Sequence, residues 1–182
     1  MEVKLRELFL ASFQFFLEKE TENICDGISE RNLCARLACI LERKTHESGF
    51  SSEYKADVEY NRKQGQKIKT IIDDDLKIIK ITCDLILHSR GKLGEHDNLI
   101  AIEMKKKERP KSEGVSDRQR LILMTRRSFD QIWSWDGTPP EHVCGYKLGY
   151  FIEFDVINMK CKVTEFINGS KSKKMSYEIP IP

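Results

Sequence analysis

Apolar positions recur at helical spacing over residues 3–20, with Leu5, Phe9, Phe13 and Phe16 on one face and charges on the other. A polar break at 23–27 precedes Ser29, whose hydroxyl suits the N-cap of a second helix running to about residue 44. Residues 54–60 then alternate strictly, as a strand with Tyr54, Ala56, Val58 and Tyr60 on one face and Lys55, Asp57 and Glu59 on the other. Another strand is expected over 78–88. Its faces would be Ile81, Cys83, Leu85 and Leu87 against Thr82, Asp84, Ile86 and His88.

A loop with Gly91 and Gly94 leads to a further strand over 99–105. Pro110 and Gly114 mark 108–116 as loop, and 117–135 reads as a helix with Leu121, Met124 and Ser128 facing inward. Strands at 146–155 and 160–167 form a hairpin, and Asn168 with Gly169 turns the chain into a short last strand. Helices, strands, a helix and more strands predict a single α/β domain over 1–182. Within it, 1–27 would be an N-terminal helical extension to a core of about 28–167.

Three carboxylates interrupt this pattern where packing alone predicts something else. The period of two places Leu99, Ala101, Glu103 and Lys105 on one face of their strand, with Glu103 and Lys105 about 7 Å apart. Asp84 is flanked by apolar residues on both sides, costly if buried without a partner. If these two strands form a hairpin, Asp84 comes beside Glu103, and two adjacent carboxylates call for a cation. A hard divalent ion answers that need, because Mg²⁺ binds through one or two carboxylates and retains water. Glu30 is the third, since Leu37 and Leu41 fall within about 20° of it on the helical wheel. It therefore sits on the apolar stripe of its own helix, although a first-turn Glu is also favoured by the helix dipole.

A helix carboxylate, a strand Asp and a Glu-x-Lys about twenty residues later, in that order, resemble the PD-(D/E)XK nucleases. The matching stretches hold Glu30, then Asp57 to Arg62, Cys83 to Gly91, Asn98 to Lys106 with Glu103 and Lys105, and Asp117 to Leu121. They span roughly 28–155 and are similar to the compact, single-domain bacterial members of that superfamily. Cys83 stands where the family motif has proline, and Arg120 stands where a later lysine is frequent.

The resemblance implies a restriction-endonuclease-like α/β core, a mixed central sheet flanked by helices in the order αβββαβ. It implies that Asp84 and Glu103, with the Met104 carbonyl, ligate Mg²⁺ or Mn²⁺, and that Glu30 completes the site directly or through water. Lys105 would orient or activate the attacking water and stabilise charge during hydrolysis of a phosphodiester. The implied partner is nucleic acid, DNA in the first instance, with Arg90 and Lys106 as candidate phosphate contacts, and a homodimer or a targeting protein in addition.

Composition changes this picture little. The 31 Lys and Arg against 29 Asp and Glu leave a formal charge of +2, so any nucleic-acid surface must be local. The basic runs at 105–111 and 171–174 are the candidates. Six cysteines without a CxxC pair point to a reduced, cytoplasmic protein, and no stretch reaches membrane-spanning length. Asp57, Glu59, Arg62 and His88 are secondary polar candidates, and Trp133 and Trp135 are available to stack on bases. Two rival readings stand beside the nuclease. One is a nuclease-like module that binds nucleic acid or protein without cutting. The other is an interaction domain whose carboxylates pair with Arg36, Arg62 or Arg90.

Overall fold

Six strands form one mixed sheet in the spatial order Lys55–Val58, Leu85–His88, Asn98–Lys106, Leu148–Asp155, Lys160–Ile167 and Ser170–Glu178, with only the third and fourth parallel. The structure, a computed structural model, describes residues 1–60, 70–72, 78–80, 82–127 and 144–181. Its helices are α1 (Glu2–Lys19), α2 (Thr21–Cys25), α3 (Glu30–Glu47) and α4 (Lys111–Met124). The sheet strands are β1 (Lys55–Val58), β4 (Leu85–His88), β5 (Asn98–Lys106), β6 (Leu148–Asp155), β7 (Lys160–Ile167) and β8 (Ser170–Glu178). Strands β2 (Thr70–Ile72) and β3 (Ile78–Lys80) pair with each other as a separate ribbon. The protein is therefore a mixed α/β fold with helices on both faces of its sheet.

The helical periodicities are realised as burial. Leu5, Phe9, Phe13 and Phe16 of α1 are fully buried, and the Phe9 ring lies face to face with Tyr150 of β6. The helix expected as an extension thus supplies one wall of the core. Helix α3 starts at its predicted cap, where the Ser29 hydroxyl accepts from the Asn32 amide at 3.3 Å. Its Leu33, Leu37 and Leu41 pack with α1 against Leu85, Leu87, Ile100, Ile102 and Met104. The opposite face of β4 and β5, through Ile86 and Ala101, meets Leu121 and Met124 of α4.

Four sequence expectations change. The strand read over 78–88 is two strands, with a bend at Asp84 between them. The bend breaks the period of two, so Cys83 joins Ile86 on the α4 side and not Leu85 and Leu87. The strand read over 54–60 ends at Val58, and Glu59 turns out of it with φ 50°.

The helix read over 117–135 begins at Lys111, directly after Pro110. A proline costs nothing at a helix start, where its missing N–H would have no partner. Gly114 lies inside that helix because α4 comes close to β6. A Cβ there would stand 3.1 Å from the Arg118 guanidinium and 3.4 Å from the Phe151 ring.

The last strand is not short. Asn168 and Gly169, with φ of 51° and 72°, make the tight turn that left-handed residues favour, and β8 then runs nine residues along β7. It adds a strand to the sheet beyond the 28–167 range expected for the core. Arg62, Ser128, Trp133, Trp135 and the acidic turn at 73–75 lie outside the described residues. Among the described residues, no helix is long and apolar enough to cross a membrane.

Candidate active site

Strand β5 carries the site at its C-terminal end. Alternation turns Ile100, Ile102 and Met104 into the α1–α3 core and leaves Glu103 and Lys105 on the α4 side. Glu103 is fully buried. The β4–β5 pair is antiparallel as expected, with Leu85 opposite Ile102, which brings Asp84 next to Glu103. The Met104 amide donates to Asp84 Oδ2 at 2.9 Å and fixes that carboxylate against β5.

The electrostatics of the pair follow from this geometry. Burial pushes the Glu103 carboxyl well above its ordinary range, and the neighbouring Asp84 and Asp117 charges push the same way against Arg120. Asp84 is raised too, chiefly by burial, although the Met104 amide and Lys105 oppose it. Arg120 of α4 bonds through Nη1 to Glu103 Oε1 and reaches Asp117 Oδ1 at 3.2 Å. Glu103 Oε2 is buried and accepts no hydrogen bond.

Lys105 lies among three carboxylates, with Nζ at 3.5 Å from Asp117 and 3.7 Å from both Glu30 and Glu113. Burial lowers its pKa, but Asp117, Glu30, Asp84 and Glu113 together outweigh that and raise it. The amine is therefore held protonated. Glu30 accepts from the Lys106 amide at 2.8 Å and lies 3.7 Å from Arg109 Nε. The first turn of α3 thus grips the end of β5.

Among the described residues, no group of three or more His, Cys, Asp or Glu side chains is placed to hold one metal ion. The expected three-carboxylate centre divides into a close Asp84–Glu103 pair and a separate Glu30 that contacts Lys105 and the Lys106 amide. The pair still suits a hard divalent cation. It offers two carboxylates, one with a buried unsatisfied oxygen, and Mg²⁺ needs no more protein ligands than that.

The two candidate phosphate contacts part company. Lys106 is at the site end of β5, its ammonium donating to the Gly27 carbonyl at 2.6 Å. Arg90 is beyond the far end of β4, where it grips Asp57 through Nε at 2.7 Å and Nη2 at 2.5 Å. Asp57 also bonds His88 Nε2 at 2.9 Å. Burial raises the Asp57 carboxyl, but the His88 and Arg90 hydrogen bonds outweigh it and hold it well below its ordinary range.

Asp117, which the sequence marks only as the head of a matching stretch with no role attached, belongs to the site. It is 5% exposed and touches both Lys105 and Arg120. Its signal was the polar stripe Glu113, Asp117 and Arg120, at helical spacing once α4 is started at Lys111. Compared with protein-family models, curated proteins and solved structures, the chain matches none.

Proposed function

We propose that the chain is a metal-dependent nuclease of the PD-(D/E)XK type. The observation that carries the reading is the close Asp84–Glu103 pair, with Asp84 half-buried, Glu103 fully buried and its Oε2 unsatisfied, and Lys105 two residues further along the same face. The element order supports it. Helix α3, strands β1, β4 and β5, helix α4 and strand β6 follow an αβββαβ sequence, with β2 and β3 inserted as a side ribbon.

Asp84 and Glu103 would hold Mg²⁺ or Mn²⁺. The ion would neutralise the scissile phosphate and lower the pKa of an attacking water. The chain's own groups divide the remaining work. The Met104 amide orients Asp84, and Arg120 with Asp117 orients Glu103. Lys105, held protonated, is suited to stabilise charge on the phosphate and to orient water; it is poorly suited to remove a proton. Glu30 acts through Lys105 and the backbone of Lys106, as a positioning residue.

Arg120 favours a second reading. Its guanidinium already supplies a positive charge to Glu103, so the cluster would also serve as an internal ion network with no metal. Labelled DNA and RNA incubated with Mg²⁺, Mn²⁺ or EDTA, beside Glu103→Ala, separates the two. The nuclease reading expects cleavage that EDTA and the substitution both abolish. Cleavage indifferent to both, or none with either metal on any substrate, overturns it.

A further inference from the structure

Beside the candidate site, two clefts of about 360 and 490 Å³ adjoin at Arg118, Phe151 and Glu153, which line both, and together make a groove. The first cleft is lined by Lys105, Lys106, Lys107, Arg109 and Lys111. The second extends over β7 and β8 through Lys162, Lys171 and Lys174. With Arg118, nine basic side chains line the groove; Lys105, Lys107, Arg109 and Arg118 are paired with carboxylates, so the excess positive charge lies on Lys106, Lys111 and the lysines of the second cleft. The whole chain carries a formal charge of only +2, so this is a concentration of charge and not a reflection of composition.

The sheet register shows where the groove leads. Glu103 pairs with Phe151, Phe151 with Thr164, and Thr164 with Lys174. The next row runs from Lys105 through Glu153 and Lys162 to Ser176. Lys174 is thus in the same cross-strand row as Glu103, three strand spacings or about 14 Å away.

The cations at the outer end are not neutralised. Among the described residues Lys162, Lys171 and Lys174 form no ion pair, and Lys171 is lowered chiefly by the charge of Lys174, with Arg118 adding to it. Between the outer lysines and the site, the Arg118 guanidinium covers the Phe151 ring at 3.9 Å and is partly exposed. A planar cation seated this way offers a face on which a base can stack.

We propose that this groove is the track for a single strand of nucleic acid, whose backbone lies along Lys171, Lys174 and Lys162 and is led past Arg118 to Lys105. A base stacked on Arg118 must be unpaired, so a single strand is the fit, with its phosphates on the lysines. The proposal rests on the nuclease reading only for what happens at the inner end.

Binding of a labelled single-stranded oligonucleotide of about 16 nucleotides in EDTA, followed by anisotropy, tests the track without cleavage. Lys171→Glu with Lys174→Glu is expected to weaken binding at least about tenfold and to lower the salt slope by about 1.4, the value for two phosphate contacts on a single strand. Lys4→Glu with Lys92→Glu makes the same charge change on exposed positions outside the groove and is expected to leave affinity within about threefold. Arg118→Lys keeps the charge but removes the planar face, and about a fivefold loss or more is expected. All variants are checked for an unchanged melting temperature.

Equal losses in the two double variants overturn the track, as does no loss in either. Tighter binding of a duplex through the same lysines overturns the single-strand assignment. Equal competition by polyglutamate or by anionic vesicles overturns nucleic acid as the ligand. Binding that follows the expected pattern in a protein that never cuts with Mg²⁺ removes the nuclease and leaves the track. Metal-dependent cutting untouched by Lys171→Glu with Lys174→Glu does the reverse.

Discussion

The Met104 amide holds the Asp84 carboxylate at 2.9 Å, so the residue before β4 is registered to the residue after Glu103 on β5. The Asp84 carboxylate is thereby fixed by a backbone amide of β5, while Glu103 is oriented by the Arg120 side chain. Asp84→Asn keeps this hydrogen bond and removes the charge. It is expected to melt like the wild type while losing at least about a hundredfold in metal-dependent cleavage. Parallel thermal melts and cleavage assays check both halves, and turnover at the wild-type level would remove Asp84 from the site.

Arg120 decides between a metal centre and a closed ion network. Arg120→Gln leaves buried Glu103 without its cation and is expected to cost about 3–5 kcal/mol in the absence of metal. If the pair binds Mg²⁺, metal at about a hundred times its Kd restores about 2.7 kcal/mol. Thermal melts with and without Mg²⁺ read this directly. A melting temperature indifferent to metal in both proteins supports the network reading instead.

The acid pair and Asp57 make opposite contributions to stability against pH, in different windows. Burial raises Glu103 and Asp84, so the folded state holds their protons more tightly than the unfolded one. Stability from them is fully present below the ordinary carboxylate range and is lost as pH rises through their raised values. Asp57 is lowered, so its contribution is present above that range and is lost as pH falls below it. Metal-free protein is expected to melt at lower temperature as pH rises from roughly 4 to 7. Glu103→Gln should flatten that slope, and Asp57→Asn should leave it while reducing sensitivity to stronger acid. A slope unchanged in Glu103→Gln would mean that another group sets it.

Glu30 separates a ligand from a support. A glutamine at that position still accepts from the Lys106 amide, so Glu30→Gln is expected to keep metal affinity within about twofold and most of the cleavage rate. Glu30→Ala loses the contact and about 1 kcal/mol of stability. Calorimetric metal titration checks the first value and denaturant unfolding the second. Loss of metal binding in Glu30→Gln would return Glu30 to the coordination sphere.

Lys105→Met should abolish cleavage yet leave metal affinity equal or higher, because a positive charge that acts on the proposed ligand Asp84 is removed. Single-turnover rates and a metal titration on the same preparation read the two effects apart. Unchanged rates would exclude Lys105 from the chemistry.

What was legible in the sequence was what strict periodicity carries. Alternation placed Glu103 and Lys105 on one face, and the cap at Ser29 set the start of α3 and hence the position of Glu30. The bend at Asp84 was not legible, because neither glycine nor proline marks it. It is held by tertiary contacts, with the Cys83 thiol donating to the Ile102 carbonyl at 3.1 Å and the Glu59 amide to the Asp84 carbonyl. The role of Asp117 was missed for the converse reason. Pro110 and Gly114 are genuine loop signals by local chemistry, and close packing of α4 on β6 overrides them.

Strand β8 is the edge of the sheet, nine residues long and largely exposed, and an edge of that kind can recruit further strands from other molecules. Lys171, Lys173 and Lys174 repel such partners, since a second copy would bring the same charges against them. On the proposed track, the lysines that would hold a nucleic-acid strand are therefore the ones that guard the edge. Exchanging these lysines for glutamates leaves the edge guarded, whereas β-branched neutral residues would expose a template for self-association as they emptied the groove of charge.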